Sequence, residues 1–270
     1  MRVRGLAAAI LMLASAATGE PLPSGLSAGQ PARTDRVLDG ETVRLADGSE
    51  LRLAEILAPK ATPPRAGQVD RTDPEIERLG ATARDALTRL IDGQPITLYF
   101  AGAARTDRHG RHVAYVEGPG GHWVQAALVA QGLARVHTSA EINRGAATLL
   151  RLEASARRQR LGLWRHEAFR VRKPVELGRW IETFQIVEGG AVTVEGARPS
   201  ARLALEEGHA RLALNVSTRA RSDLRALGDI EGQTLRVRGW VRWQGGPIID
   251  VTHGAQIEWA DPRPAVRAME

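Results

Sequence analysis

The chain has 270 residues and no cysteine. That excludes disulfides, thiolate metal sites and a lipid anchor carried on an N-terminal cysteine. Aromatic residues make up only 4% of the chain, yet six of the eleven are tryptophan. The seven histidines form no His-Glu-x-x-His pair, and His109 and His112 read as ordinary surface residues beside a basic loop. Neither a Ser-His-Asp arrangement nor a glycine-rich phosphate loop stands out. No apolar run reaches the ~20 residues that a membrane-spanning helix needs. What is present is an ordinary globular balance of 43% apolar and 25% charged residues. A formal charge of +6, carried mostly by arginine, favours polyanionic partners.

The start reads as an export signal. Met1 to Arg4 is short and basic, Gly5 to Ala14 is apolar, and Ala14-Ser15-Ala16 supplies the small residues of a cleavage site. This predicts a signal peptide over residues 1–17 and a periplasmic or extracellular protein. Residues 18–34, rich in Pro, Gly and Ser, read as a flexible linker. From Arg36 the chain alternates, with Val43 and Leu45, then Leu51 and Leu53, on either side of Asp47-Gly48-Ser49, the pattern of a β-hairpin. Ala61 to Asp73 is irregular and reads as a rim loop. Asp73-Pro74-Glu75 then opens a helix that Gly93 closes. Ile96 to Phe100 and Val113 to Glu117 alternate as strands, Trp123 to Gln131 is a short helix, and Ala146 to Leu163 reads as a long one.

The order Asp39-Gly40-Glu41, Arg52-Leu53, Leu57-Ala58-Pro59-Lys60, then Asp107 to Arg111, Leu128 to Val136 and Gly162-Leu163-Trp164 resembles the staphylococcal-nuclease-like (thermonuclease) family. The resemblance spans about Arg36 to Trp164 and implies a small β-barrel of the oligonucleotide-binding (OB) type packed with helices. It also implies a calcium site for a working enzyme, with carboxylates at the positions of Glu41 and Leu57 and the carbonyl of Ala58 as ligands. A glutamate at the position of Lys60 would serve the water, and arginines at Arg52 and Arg111 would grip the phosphate. Both arginines are here. Glu41 keeps its charge with one more methylene, Leu57 has no donor, and Lys60 puts a cation where a base is implied. Asp39 and Glu55 are the substitute acids for a rebuilt metal site with Glu41.

From Arg144 to Lys173 there are nine basic residues and two acidic ones, and Arg151, Arg158 and Arg165 recur every seven. This is either a solvated face or an electrostatic footprint for nucleic acid. A second domain is expected from Pro174, with short strands and glycine-rich turns fitting another small OB-like barrel over residues 174–261, and a tail over 262–270. The first domain then covers 35–173, and the fold class is mainly β with helices (α+β). In Leu235 to Trp243 one face carries Leu235, Val237, Val241 and Trp243. The other carries Arg236, Arg238, Trp240 and Arg242, either an outer strand face with an incidental tryptophan or cations interleaved with an indole as in single-strand binding.

Three functions follow from these expectations. The first is an exported protein that binds single-stranded DNA or RNA on a nuclease-like fold with its calcium and base site largely lost. The second is an active phosphodiester-hydrolysing nuclease with an altered metal site. The third is an envelope module for protein contacts, its partner unknown.

Overall fold

A computed structural model describes residues 19–60, 73–103, 105–194, 202–226 and 228–260. The expected signal peptide, the rim loop and the C-terminal tail lie outside these residues, save for their flanking positions. The chain divides into two compact units between Glu167 and Ala168, six residues ahead of the boundary expected at Pro174.

In the first unit, β1 (Ser27–Val37), β2 (Thr42–Leu45), β3 (Glu50–Leu53), β5 (Pro95–Phe100) and β6 (His112–Glu117) close a barrel in the order β1-β2-β3-β6-β5. All neighbours are antiparallel except β3 and β6. A two-stranded pair, β4 (Ile56–Leu57) and β7 (Arg135–Val136), stands beside it. The hairpin turn closes through Leu45 N–H to the Ser49 carbonyl at 2.9 Å, with Gly48 at φ 85°. Leu51, Leu53, Val43 and Ile56 are fully buried and anchor the core.

Helix α1 (Pro74–Ile91) begins as its sequence dictates. The Asp73 side chain accepts from Glu75 N–H at 3.0 Å, and Pro74 fills the first position. Its apolar stripe, Ala83, Ala86, Leu87 and Ile91, faces the barrel. Helix α2 (Val124–Ala130) is tied to β6 by buried Gln125, which accepts from Val116 N–H and donates to the Ala114 carbonyl. Helix α3 (Ala146–Arg158) packs on α2 through Leu149 and Leu152.

Two expectations are corrected here. The linker reading of residues 18–34 fails from Ser27 onward, because Ser27–Arg33 pairs with β5 and Thr34–Val37 with β2. The apparent breakers have local reasons. Pro31 lies where β1 bonds to β5 alone, so a missing N–H is tolerated at an edge. A Cβ at Gly29 would stand 2.7 Å from the Phe100 ring. The long helix expected to reach Leu163 stops at Arg158. Arg160 turns at φ 53°, and a 3-10 turn follows over Gly162–Arg165. There Leu163 N–H bonds the Gly132 carbonyl, and a Cβ on Gly162 would lie 2.2 Å from that oxygen. The backbones cross too closely for the helix to continue.

The second unit holds β8 (Thr183–Val194), β9 (Arg202–Glu207), β10 (Ala210–Val216), helix α4 (Thr218–Ala226), β11 (Thr234–Trp243), β12 (Pro247–Val251) and β13 (Ile257–Trp259). The sheet runs β12-β10-β9-β8-β11-β13, and β11 also pairs with β12, which closes the first five strands into a barrel. β10 and β12 are the parallel pair. Counting strands within each barrel, both close as first, second, third, fifth, fourth, with a helix between the third and fourth. Val187, Leu205, Leu212, Leu214, Val237 and Val251 fill the second core. Trp243, expected on the inward face, is 63% exposed. It ends β11 ahead of the Gln244-Gly245-Gly246 turn, beyond the buried stretch of the strand.

Candidate functional site

The hairpin sets the site. Asp39 accepts from Glu41 N–H at 2.8 Å, a local turn that sets the two carboxylates beside each other ahead of β2. Gly40 is required there, since a Cβ would stand 2.7 Å from both the Ala58 and the Ala83 methyls. This close approach brings the turn against α1 and against the chain leaving β4.

Glu41 is only 2% exposed, and its carboxylate is saturated. One oxygen accepts from Ala58 N–H at 2.6 Å, while the other meets Lys60 Nζ at 3.0 Å and Arg52 Nε at 3.4 Å. Lys60, one of only two lysines in the chain, also lies 3.0 Å from Asp39 Oδ2. Its ammonium therefore sits between the two carboxylates. Burial pulls the Lys60 pKa down, but the charges of Glu41 and Asp39 and the hydrogen bonds to both outweigh that, and the balance is upward. Arg52, opposite Thr42 in the hairpin, also donates to the Ile56 carbonyl at 3.4 Å. Leu57 is half-buried on β4 and pairs with Arg135 across to β7. A cleft of about 300 Å³ borders Lys60, lined by Asp39, Pro59, Glu77 and Arg84 among others.

Arg111 immediately precedes β6, whose register sets His112 beside Leu51 and Val113 beside Arg52. The guanidinium of Arg111 is held by Asp107, with Nε and Nη2 at 2.9 and 2.7 Å from one carboxylate oxygen. Burial raises the Asp107 pKa, and the bonds from Arg111 and from the His109 and Arg111 amides more than reverse it. This partner was missed in the sequence, although Asp107 four residues before Arg111 is a visible opposite-charge pair.

Glu55 does not join Glu41 and Asp39. It is buried at φ 60°, and Oε1 accepts from the Tyr115 hydroxyl and from Gly145 N–H at 2.9 Å. The substitute metal site combining Asp39, Glu41 and Glu55 is thus not assembled. Among the described residues no three His, Asp or Glu side chains are grouped to hold an ion.

The two basic surfaces differ. On α3 and its exit, Arg151, Arg158 and Arg165 are all exposed, as the spacing predicts. On β11 the expected row is occupied by acids. Arg238 is 2% exposed and bonds Glu258 at 3.0 Å, Arg236 bonds Glu188 at 2.7 Å, and Arg242 pairs with Asp250. Arg238 is thus removed from the binding face. Its alternation with Trp240 is real, but the strand's middle is covered where its ends are not. Trp240 remains 51% exposed, its ring meeting Phe184 edge-on at 6.1 Å.

A closed five-stranded barrel in the order first, second, third, fifth, fourth, with its helix after the third strand, is an OB-type barrel. Both units are of that class, and in the first Asp39, Glu41, Lys60 and Arg52 meet ahead of β2, while Arg111 is held separately by Asp107. Residues 50–166 match the model of the family described as Staphylococcal nuclease homologue, and this part of the chain is a domain of that family. The match contains Arg52, Leu57, Ala58, Lys60 and Arg111, while Asp39 and Glu41 precede it. Among curated proteins none matches the chain.

Proposed function

We propose that this is an exported nucleic-acid-binding protein whose nuclease-like barrel no longer hydrolyses phosphodiesters through a metal. The observation that carries the reading is Lys60 Nζ, 3.0 Å from both Asp39 and Glu41. A side-chain cation stands against the carboxylates that a calcium ion would need. The remaining donors do not fit the ion either. Both Glu41 oxygens are engaged, Leu57 offers none, and a hard cation requires six to eight oxygens. Lys60 is also unsuited to activating water, because its raised pKa keeps it protonated at neutral pH.

Support for nucleic acid comes from the family match, the net positive charge and the exposed arginines of α3. Trp240 adds a face on which a base can stack. Export is proposed from the basic, apolar and small-residue order of the first 17 residues.

The test is a cleavage assay with calcium, magnesium and manganese, beside oligonucleotide binding at low salt. The purified protein is expected to bind and to release no acid-soluble nucleotide. Lys60→Glu or Leu57→Asp alone is expected to restore little. The combination Glu41→Asp, Leu57→Asp, Lys60→Glu should give most of any gain, since groups acting as one catalytic unit are non-additive. Chelator-sensitive cleavage by the unaltered protein, equal to that of the triple variant, overturns the reading.

A further inference from the structure

The cations at the nuclease-like site are already neutralised. Lys60 and Arg52 share Glu41, Lys60 also holds Asp39, and Arg111 is gripped by Asp107. A phosphate arriving there would have to displace a partly buried acid from each.

The α3 face is different. Arg144, Arg151, Arg158 and Arg165 recur every seven residues, and Arg160 adjoins the third of them. On a helix that interval returns to nearly the same side, about 10 Å further along at 1.5 Å per residue. Arg151 and Arg158 lie within α3 and Arg144 just ahead of it. All five arginines are exposed.

This segment supplies little acid of its own, although Glu20 reaches Arg151 and Asp73 reaches His166 from elsewhere in the chain. The one acidic residue from Arg144 to His166 is Glu153, which is fully buried and accepts from Val136 N–H at 2.7 Å. Arg151 pairs with Glu20, and Arg165 donates to the Arg160 carbonyl at 2.9 Å. Arg144, Arg158 and Arg160 make no ion pair among the described residues. The C-terminal end of α3 repels anions through its dipole, and these full charges at and beyond the last turn outweigh that partial one.

We infer that this arginine row, centred on Arg144, Arg158 and Arg160, is where the nuclease-like domain takes the phosphate backbone of a nucleic acid. The inference rests on the nucleic-acid reading above and moves the contact from the hairpin site to α3. A phosphate backbone fits exposed cations spread along a helix and its two ends. An anionic lipid surface fits less well, because a helix lying on lipid also inserts an apolar face. Here that face, Ala146, Leu149, Leu152 and Ala156, is buried in the domain, and no large exposed hydrophobic residue lies on α3 among the described residues.

The experiment uses the mature full-length protein and fluorescence anisotropy with a labelled 20-nucleotide single strand across a salt series. The variant Arg144→Glu, Arg158→Glu, Arg160→Glu is compared with Arg33→Glu, Arg36→Glu, Arg89→Glu, an equal charge change at exposed positions on β1 and α1. Arg144→Lys, Arg158→Lys, Arg160→Lys guards against a folding defect, which circular dichroism also reports. The α3 reversal is expected to weaken binding at least about tenfold at 50 mM salt. It should also flatten the log K against log salt slope by about 2, three contacts at about 0.7 each for a single strand. The lysine variant and the control should keep most of the affinity.

If the unaltered protein binds no oligonucleotide at low salt, the functional reading itself falls. If it binds, and the folded α3 reversal binds as well as the control, this inference falls while that reading stands. Phosphatidylglycerol vesicles captured through the same arginines, with oligonucleotide binding unchanged by the reversal, assign the row to lipid and overturn it too.

Discussion

At the residue scale, Glu55 is the most exacting position outside the hairpin site. Its carboxyl is buried, one oxygen is held by Tyr115 and Gly145, and Oε2 has no partner. No ion pair offsets its charge among the described residues. Burial raises its pKa, and the bonds from Tyr115 and Gly145 lower it only in part. The Tyr115 phenol is pushed up in turn, by burial first and then by the Glu55 charge. A carboxyl whose folded pKa lies above its unfolded one stabilises fully below the unfolded value, near pH 4. That contribution is lost as pH rises through the folded value. Glu55→Gln removes the charge while leaving an acceptor for both donors. It is expected to match the parent near pH 4 and to exceed it at pH 7, because the buried charge that burial disfavours is gone. Urea unfolding at both pH values checks this, and equal stabilities at pH 7 would refute it.

At the element scale, what was legible in the sequence was what local chemistry decides. The hairpin over Thr42–Leu53 follows from alternation and an Asp-Gly-Ser turn, and α1 from an Asp cap with proline behind it. The start of β1 was not legible, because its Gly and Pro report an edge and a close ring contact that only the fold supplies. The end of α3 was hidden for the same reason, being set by a backbone crossing at Gly132. At the site, the positions of Arg52, Lys60 and Arg111 could be read in order, but their acid partners could not, since Lys60 and Glu41 meet across nineteen residues. On β11 the period of two placed Arg236, Arg238, Trp240 and Arg242 on one face, and it carries no information on which of them is covered. Trp240 and Arg242 are the exposed members, and the Trp240 ring meets Phe184 edge-on. Trp240→Ala is expected to weaken single-strand binding by about 1–3 kcal/mol, the usual worth of a stacked base. Duplex binding, whose bases offer no free face, should hardly change. Paired titrations with a single strand and its duplex decide the matter, and an equal loss on both would assign Trp240 a structural role.

At the scale of the whole molecule, one strand order is used twice. Each barrel closes through a parallel pair, β3 with β6 and β10 with β12, and each places a helix in the long connection that such a pair requires. Closure leaves no long sheet edge open in either barrel, so neither needs the other to satisfy its backbone. Each also has its own apolar core, Leu51, Leu53, Leu87 and Leu128 in the first and Leu205, Leu212, Val237 and Ile249 in the second. No residue of one cluster belongs to the other. The first unit, near 150 residues when residues 1–17 are left out, is of a size at which single domains fold on their own. A fragment ending at Glu167 is therefore expected to unfold cooperatively in urea, with a midpoint close to that of the corresponding transition in the full chain. The helical contribution of α1, α2 and α3 to far-ultraviolet circular dichroism follows that transition. The fragment also keeps Arg144, Arg158 and Arg160, so it should retain salt-dependent oligonucleotide binding while losing the part that Trp240 supplies. A fragment that is unfolded at zero denaturant would show that the first barrel depends on residues after Glu167. A fragment that folds and binds nothing would place the whole affinity in the second barrel.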